Sequence, residues 1–213
     1  MNNRFALIII LSAIILVNST FCQAADQTPD PRVKPGTTFY VDFPSLDPAN
    51  HQDKTVMGVY IPTDYSEDKL FPLFVWFGGG SGNHEPGPAK SVVEGKGFIC
   101  VGVPYQKHNG EEIGPKMRGL WASPWDHYKV MLDELEKIIP NINKNSRICG
   151  GFSSGGAAIM WLLGNSGGKF QEYFAGFMPG GAGWPMGGLS DLKNRPLLVF
   201  TGETDTRYAN LKK

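Results

Sequence analysis

Apolar positions in this chain fall into two kinds of run. "TFYVDF" and "TVMGVYIP" alternate enough to read as half-exposed strands near one sheet edge, with "SLDPANHQDK" as the turn between them. Farther along the alternation stops, and "FPLFVWF", "GFICVGVPY", "SRICGGF", "YFAGFMPG" and "RPLLVFTG" are nearly continuous apolar runs. Strands apolar on both faces belong in a sheet covered from both sides. Between them the period lengthens to that of a helix. "SPWDHYKVMLDELEKIIPN" offers Ser123 as a cap and Pro124 at the first helical position. Tyr128, Met131, Leu132, Leu135, Ile138 and Ile139 follow at helical spacing, and Pro140 is the stop. "PAKSVVEGK" and "SGGAAIMWLLGN" supply two more helices. Strands alternating with helices predict an α/β fold, a mostly parallel sheet with helices on both faces.

The amino end follows neither pattern. One positive charge at Arg4, the apolar "FALIIILSAIILV" and small residues near Ala24 and Ala25 read as a signal peptide over residues 1–25, which places the mature chain outside the cell or in the periplasm. The apolar run falls short of the ~20 residues of a comfortable bilayer span, so an uncleaved anchor is the weaker reading, and no stable membrane insertion is expected after cleavage. Cys22 raises lipid attachment, but Phe21 stands where a small residue would be wanted. Residues 26–36 form a loose lead, and 37–213 are read as one domain. Lys plus Arg and Asp plus Glu balance at 20 each, with no basic stripe, which argues against nucleic acid as a partner. Beyond the signal only Cys100 and Cys149 remain, each inside an apolar strand and without metal-ligand neighbours, so both read as core residues.

Chemistry enters at "CGGFSSGGAAIMWLLG". Only Gly151, Phe152, Ser153, Ser154 and Gly155 satisfy G-x-S-x-G, since centring on Ser154 puts Phe152 in the first glycine's place. A nucleophilic serine of this kind sits on a tight strand-to-helix turn, where side chains two residues to either side would collide. An ordinary strand-helix turn would carry the same letters. An acyl-transfer serine also needs backbone donors for the oxyanion. "FVWFGGGSGNH" provides them at Gly79 or Gly80, with the Ser154 N–H as the second, on the same carboxyl edge of the sheet. No phosphate-loop pattern follows these glycines.

These features resemble the α/β-hydrolase superfamily, and within it the secreted esterases that include carboxylesterases and polyhydroxybutyrate-depolymerase-like proteins. The resemblance spans about residues 55 to 210 and rests on "WFGGGSG", "GFSSGG" and "PLLVFTGETDTRY". It implies that "FPLFVWF" lies between the two cysteine-bearing strands, which argues against their disulfide. It implies Asp205 as the acid that orients a histidine, with Glu203 and Asp191 as substitutes and a helix N-cap as the plain alternative for Asp205. In this superfamily the histidine follows the acid. Here His51, His84, His108 and His127 all precede Ser153. The expectation is a chain that continues past Lys213 into another helix, a strand and the histidine, and that is weak or inactive as it stands. His84 or His108, both on the predicted rim, are the substitutes, and a chain without a base is the remaining case.

On the substrate side, Trp184 in "GGAGWPMGG", with Trp121 and Trp125, could wall a pocket or could be ordinary packing. No metal or organic cofactor is implied. The reading is a serine hydrolase acting on a small-molecule or polymer ester through an acyl-enzyme on Ser153. A serine peptidase of prolyl-oligopeptidase type and a non-catalytic binding module are the alternatives.

Overall fold

The computed structural model describes residues 30–49, 54–80, 82–104, 124–182, 192 and 194–202. The signal-peptide segment, Ser123, Trp121, Trp184, His51, His108, Asp191, Glu203 and Asp205 lie outside them. In chain order the elements are β1 (Thr38–Asp42), a 3-10 turn (Pro44–Ala49), β2 (Val56–Tyr60), β3 (Phe71–Phe77), α1 (Gly87–Val92) and β4 (Ile99–Val103). They continue with α2 (Pro124–Ile138), β5 (Ile142–Phe152), α3 (Ser154–Asn165), α4 (Lys169–Tyr173) and β6 (Gly176–Gly180).

The strands form one sheet in the order β1-β2-β4-β3-β5-β6. β1 pairs antiparallel with β2, and β2 with β4, while β4, β3, β5 and β6 run parallel. This is the predicted α/β architecture. Side chains alternate across β3. Leu73, Val75 and Phe77 join the main core with α2, α3 and α4, whereas Phe74 joins Tyr60, Cys100 and Ala89 of α1 on the other face. The helices therefore cover both faces, one of them thinly. Among the described residues no helix is long and apolar enough to cross a membrane.

The helical spacing of α2 is realised in packing. Tyr128, Met131, Leu132, Leu135 and Ile139 are buried, and the helix stops before Pro140. Trp125 belongs to the main core. It is 2% exposed and packs against Phe170, Tyr173 and Phe174, ring centroids 5.3, 5.3 and 6.1 Å away.

α2 also buries His127, 4% exposed. Burial lowers the imidazole from 6.5 to about 4, with Asp126 opposing. The folded chain keeps this group neutral while the unfolded chain charges it, so unfolding takes up a proton between those two values. Its contribution to stability is whole above the unfolded value of about 6.5 and is lost, by up to about 3 kcal/mol, as the pH falls to about 4. Denaturant midpoints measured near pH 7 and near pH 4.5 are expected to fall less in His127→Gln than in the parent chain. Equal falls would exclude His127 as the source.

Cys100 and Cys149 are free and buried, and β3 separates them, Phe74 facing Cys100 and Val75 facing Cys149 in register. Burial pushes the Cys100 thiol up to about 12 and Cys149 well above the usual thiol range. Both act as small apolar residues.

Four elements depart from the sequence reading. β2 is buried at four of its five positions rather than half-exposed, because Met57 and Val59 enter the main core on one face while Tyr60 packs with Ala89 and Gly58 lies under the His84 backbone on the other. "YFAGFMPG" splits into the end of α4 and β6. β5 starts earlier than "SRIC" and slips register against β3 between Phe71 and Leu73. The slip turns Arg147 inward, where its guanidinium lies 4.0 Å from the Tyr173 ring centre and pairs with Glu136, which also accepts from Tyr173 Oη at 2.7 Å. Finally, "RPLLVFTG" runs beside β6 through two isolated bridges, Phe177 to Leu197 and Gly180 to Phe200, and leaves Leu198 56% exposed. It forms two bridges rather than a continuous strand.

Candidate active site

The strand order places the site before any side chain is considered. From β3 the chain moves to β4 on one side and then to β5 on the other, so the connections diverge between β3 and β5. A crevice opens outside the carboxyl ends of strands at such a switch point. Gly78 leaves β3 there, and Ser153 leaves β5.

Ser153 adopts φ 56° and ψ −118°, one of three non-glycine residues at positive φ among the described residues. Such a conformation costs on the order of 1–3 kcal/mol and persists only where its surroundings impose it. Here the Ser153 N–H donates to Gly180 O at 2.9 Å, and the Ser153 carbonyl accepts from Ala157 N at 2.9 Å, the first turn of α3. The glycines on either side are steric necessities. A Cβ at Gly151 would lie 2.9 Å from Gly155 C, and one at Gly155 would lie 2.0 Å from Phe77 O. A Cβ at Gly156 would lie 2.4 Å from Gly180 O, which is why α3 approaches β6 so closely.

Gly79 adjoins this turn. A Cβ there would come 2.8 Å from Phe152 O and 3.8 Å from Ser153 Cβ. Gly80 has φ +62° and open space around it. Ser154 is the first residue of α3, where backbone N–H groups lack intrahelical acceptors and the helix dipole favours negative charge. The arrangement brings the candidate Ser153, the Ser154 N–H and the Gly79–Gly80 backbone to one edge. Chemically, it can offer a hydroxyl and main-chain donors to one carbonyl group.

The described histidines are engaged elsewhere. His127 is buried in α2. His84 turns toward the far side of the sheet, with its ring edge-on to Tyr40 of β1, centroids 5.6 Å apart, and its Nε2 3.9 Å from Glu85 Oε1. Among the described residues no cluster of His, Cys, Asp and Glu is arranged to hold a metal ion.

Two features escaped the sequence reading. Phe152, 47% exposed beside Ser153, stacks on Phe200 with centroids 6.3 Å apart, over the side-chain-free Gly180 and Gly181. The other is the glycine pair Gly58 and Gly102, opposite each other in β2 and β4. A glycine inside a strand pattern signals a close backbone approach, and that signal was present at both positions.

No protein-family model matches the chain, and no curated protein matches it. Solved structures do resemble it. A mutant feruloyl esterase module from Clostridium thermocellum, complexed with sinapinate, aligns with 87% of this chain and 75% of its own, at 17% identity and TM-score 0.57. Fluorophosphonate-binding serine hydrolase F of Staphylococcus aureus aligns over 84% of both chains at 14% identity and TM-score 0.54. A thermostable esterase aligns with 82% of this chain and 48% of its own at 18% identity and TM-score 0.52. Sheet order, helix placement and these likenesses agree, and the chain has the α/β-hydrolase fold.

Proposed function

We propose that this protein is a serine hydrolase cleaving carboxylic esters through an acyl-enzyme on Ser153. One observation carries the reading: a serine held at positive φ on a strand-to-helix turn, at the switch point of the sheet, against a glycine backbone. In this reaction Ser153 Oγ attacks the ester carbonyl and gives its proton to a histidine outside the described residues, oriented by Asp205. The Ser154 N–H and the Gly79 or Gly80 N–H hold the oxyanion, and the leaving alcohol takes the proton as the carbon–oxygen bond breaks. Water then attacks the acyl-enzyme and releases the acid. His108 and Trp184 are proposed for the substrate rim. His84, facing Tyr40, would serve there only through the loop it belongs to.

The exposed Phe152–Phe200 pair beside Ser153 supports an acyl group with a flat apolar part. The esterases among the similar folds, one of them seen with sinapinate, are in keeping with that class. We further propose export directed by residues 1–25.

A fluorophosphonate probe applied to the native protein is expected to modify the peptide containing Ser153, and an aromatic acyl ester is expected to slow the labelling. Labelling elsewhere, or none, would favour a binding module on the same fold. Protection by peptides rather than esters would favour a peptidase.

A further inference from the structure

We propose that Gly58, Gly102, Tyr40 and Glu85 form a positioning device that holds the oxyanion-binding turn in place from the far side of the sheet. This rests on the reading of Ser153 and the Gly79–Gly80 backbone given above.

Gly58 and Gly102 are register partners in β2 and β4. A Cβ at Gly58 would lie 2.4 Å from His84 O, and one at Gly102 would lie 2.3 Å from His84 O and 2.4 Å from Glu85 C. Both contacts are with main chain, which cannot swing aside as a side-chain tip can. Two absent side chains thus leave a slot, and the backbone of His84 and Glu85 lies in it. The Gly58 N–H donates into the seated segment, to His84 O at 3.1 Å.

The slot connects to the site through very little slack. Asn83, next to the seated pair, lies so close to Gly78 that a Cβ there would come 2.0 Å from Asn83 O. The Gly82 N–H donates to Gly79 O at 3.0 Å, and the Gly78 N–H donates to Val103 O at 3.2 Å, beside Gly102. A displacement of His84 or Glu85 out of the slot must therefore move the main chain around Gly78 and Gly79. On the outside, Tyr40 Oη lies 3.2 and 3.3 Å from the two Glu85 carboxylate oxygens, and the Tyr40 ring backs His84.

The chemistry gives the device its purpose. Oxyanion donors work because they are aimed before the charge develops. A run of three glycines is the backbone least able to hold an aim by itself. Seating the far end of the same loop in a rigid sheet supplies the missing constraint.

The test is Gly58→Ala in the native protein, read by ester kinetics and by hydrogen exchange at the Gly79 and Gly80 amides. Removing an oxyanion donor outright costs about 100- to 1,000-fold in kcat, so a displaced donor is expected to cost about 10- to 100-fold with KM changed less than about twofold. Exchange at the two amides is expected to quicken about tenfold or more. A role confined to stability would lower the melting temperature while leaving kcat and these amides unchanged well below it, and that result would overturn the proposal. If Gly58→Ala does not fold, Tyr40→Phe and Glu85→Ala decide, since both sites are exposed at the surface. They are expected to quicken the same amides and lower kcat about 2- to 5-fold, and no change in either overturns the proposal. Fluorophosphonate labelling of the parent chain reports separately on Ser153. Failure to label would sink the hydrolase reading, while amide exchange would still judge the slot.

Discussion

Ser153→Ala is expected to lower ester turnover by about 10,000- to 1,000,000-fold, leaving only what binding and the oxyanion donors supply. Ser154→Ala is expected to stay within about threefold of the parent, because the role proposed for Ser154 belongs to its N–H, which alanine keeps. The two hydroxyls are adjacent, and the backbone separates their roles. Ser153 occupies the positive-φ corner between β5 and α3, whereas Ser154 is already helical. Saturating kinetics on an activated ester, measured for both variants, checks the assignment. Turnover retained by Ser153→Ala and lost by Ser154→Ala would place the nucleophile one residue later.

The same corner makes a second, opposite forecast for stability. Ser153→Gly removes the proposed nucleophile and also the Cβ strain at φ 56°, so it is expected to unfold about 1 kcal/mol less readily than the parent and to be as inactive as Ser153→Ala. Strain retained at a reacting residue is then measurable as the difference between two dead variants. Ser153→Ala keeps the strain and should gain nothing.

Gly155→Ala is expected to destabilise the chain by about 3 kcal/mol or more and to abolish activity in whatever still folds. The added methyl would meet Phe77 O at 2.0 Å, Phe77 C at 2.7 Å and Gly78 O at 2.9 Å. All three are main-chain atoms at the end of β3, so relief means pushing α3 away from the sheet or bending the strand that leads to Gly79. Either movement separates Ser153 from its candidate oxyanion donors. Gly87→Ala in α1 is the internal control, because a Cβ there meets nothing within 4 Å. It should be neutral or stabilising by up to about 1 kcal/mol. The denaturant midpoint is expected to fall for Gly155→Ala and to hold or rise for Gly87→Ala, and a small loss at Gly155 would mean that the turn is looser than its contacts imply.

Much of this site was legible in the sequence, for a local reason. Strand and helix periods depend on neighbours two to four residues apart, so β3, β4, α2 and α3 could be read from spacing alone. The Ser153 register was equally readable, because the collision that demands Gly151 and Gly155 acts across a single turn. Trp125 illustrates where that reach ends. Its large ring is compatible with a pocket wall or a core, and only the packing of α4 against α2 puts Phe170, Tyr173 and Phe174 around it.

The same limit governed the rest. Arg147 lies inside the run "SRICGGF", and only the register slip between β3 and β5 turns it toward Glu136 and Tyr173. His84 looked like a rim histidine because it follows the glycine loop, but the loop's far end is seated at Gly58 and Gly102 and the ring points toward Tyr40. By itself, then, the sequence determined the main alternation of strands and helices, the tight turn at the candidate serine and the glycine turn beside it, since each depends on contacts a few residues apart. Tertiary structure alone decided which strands are neighbours, which face each side chain meets and what holds the glycine turn, because those contacts join residues dozens of positions apart whose meeting no local period encodes.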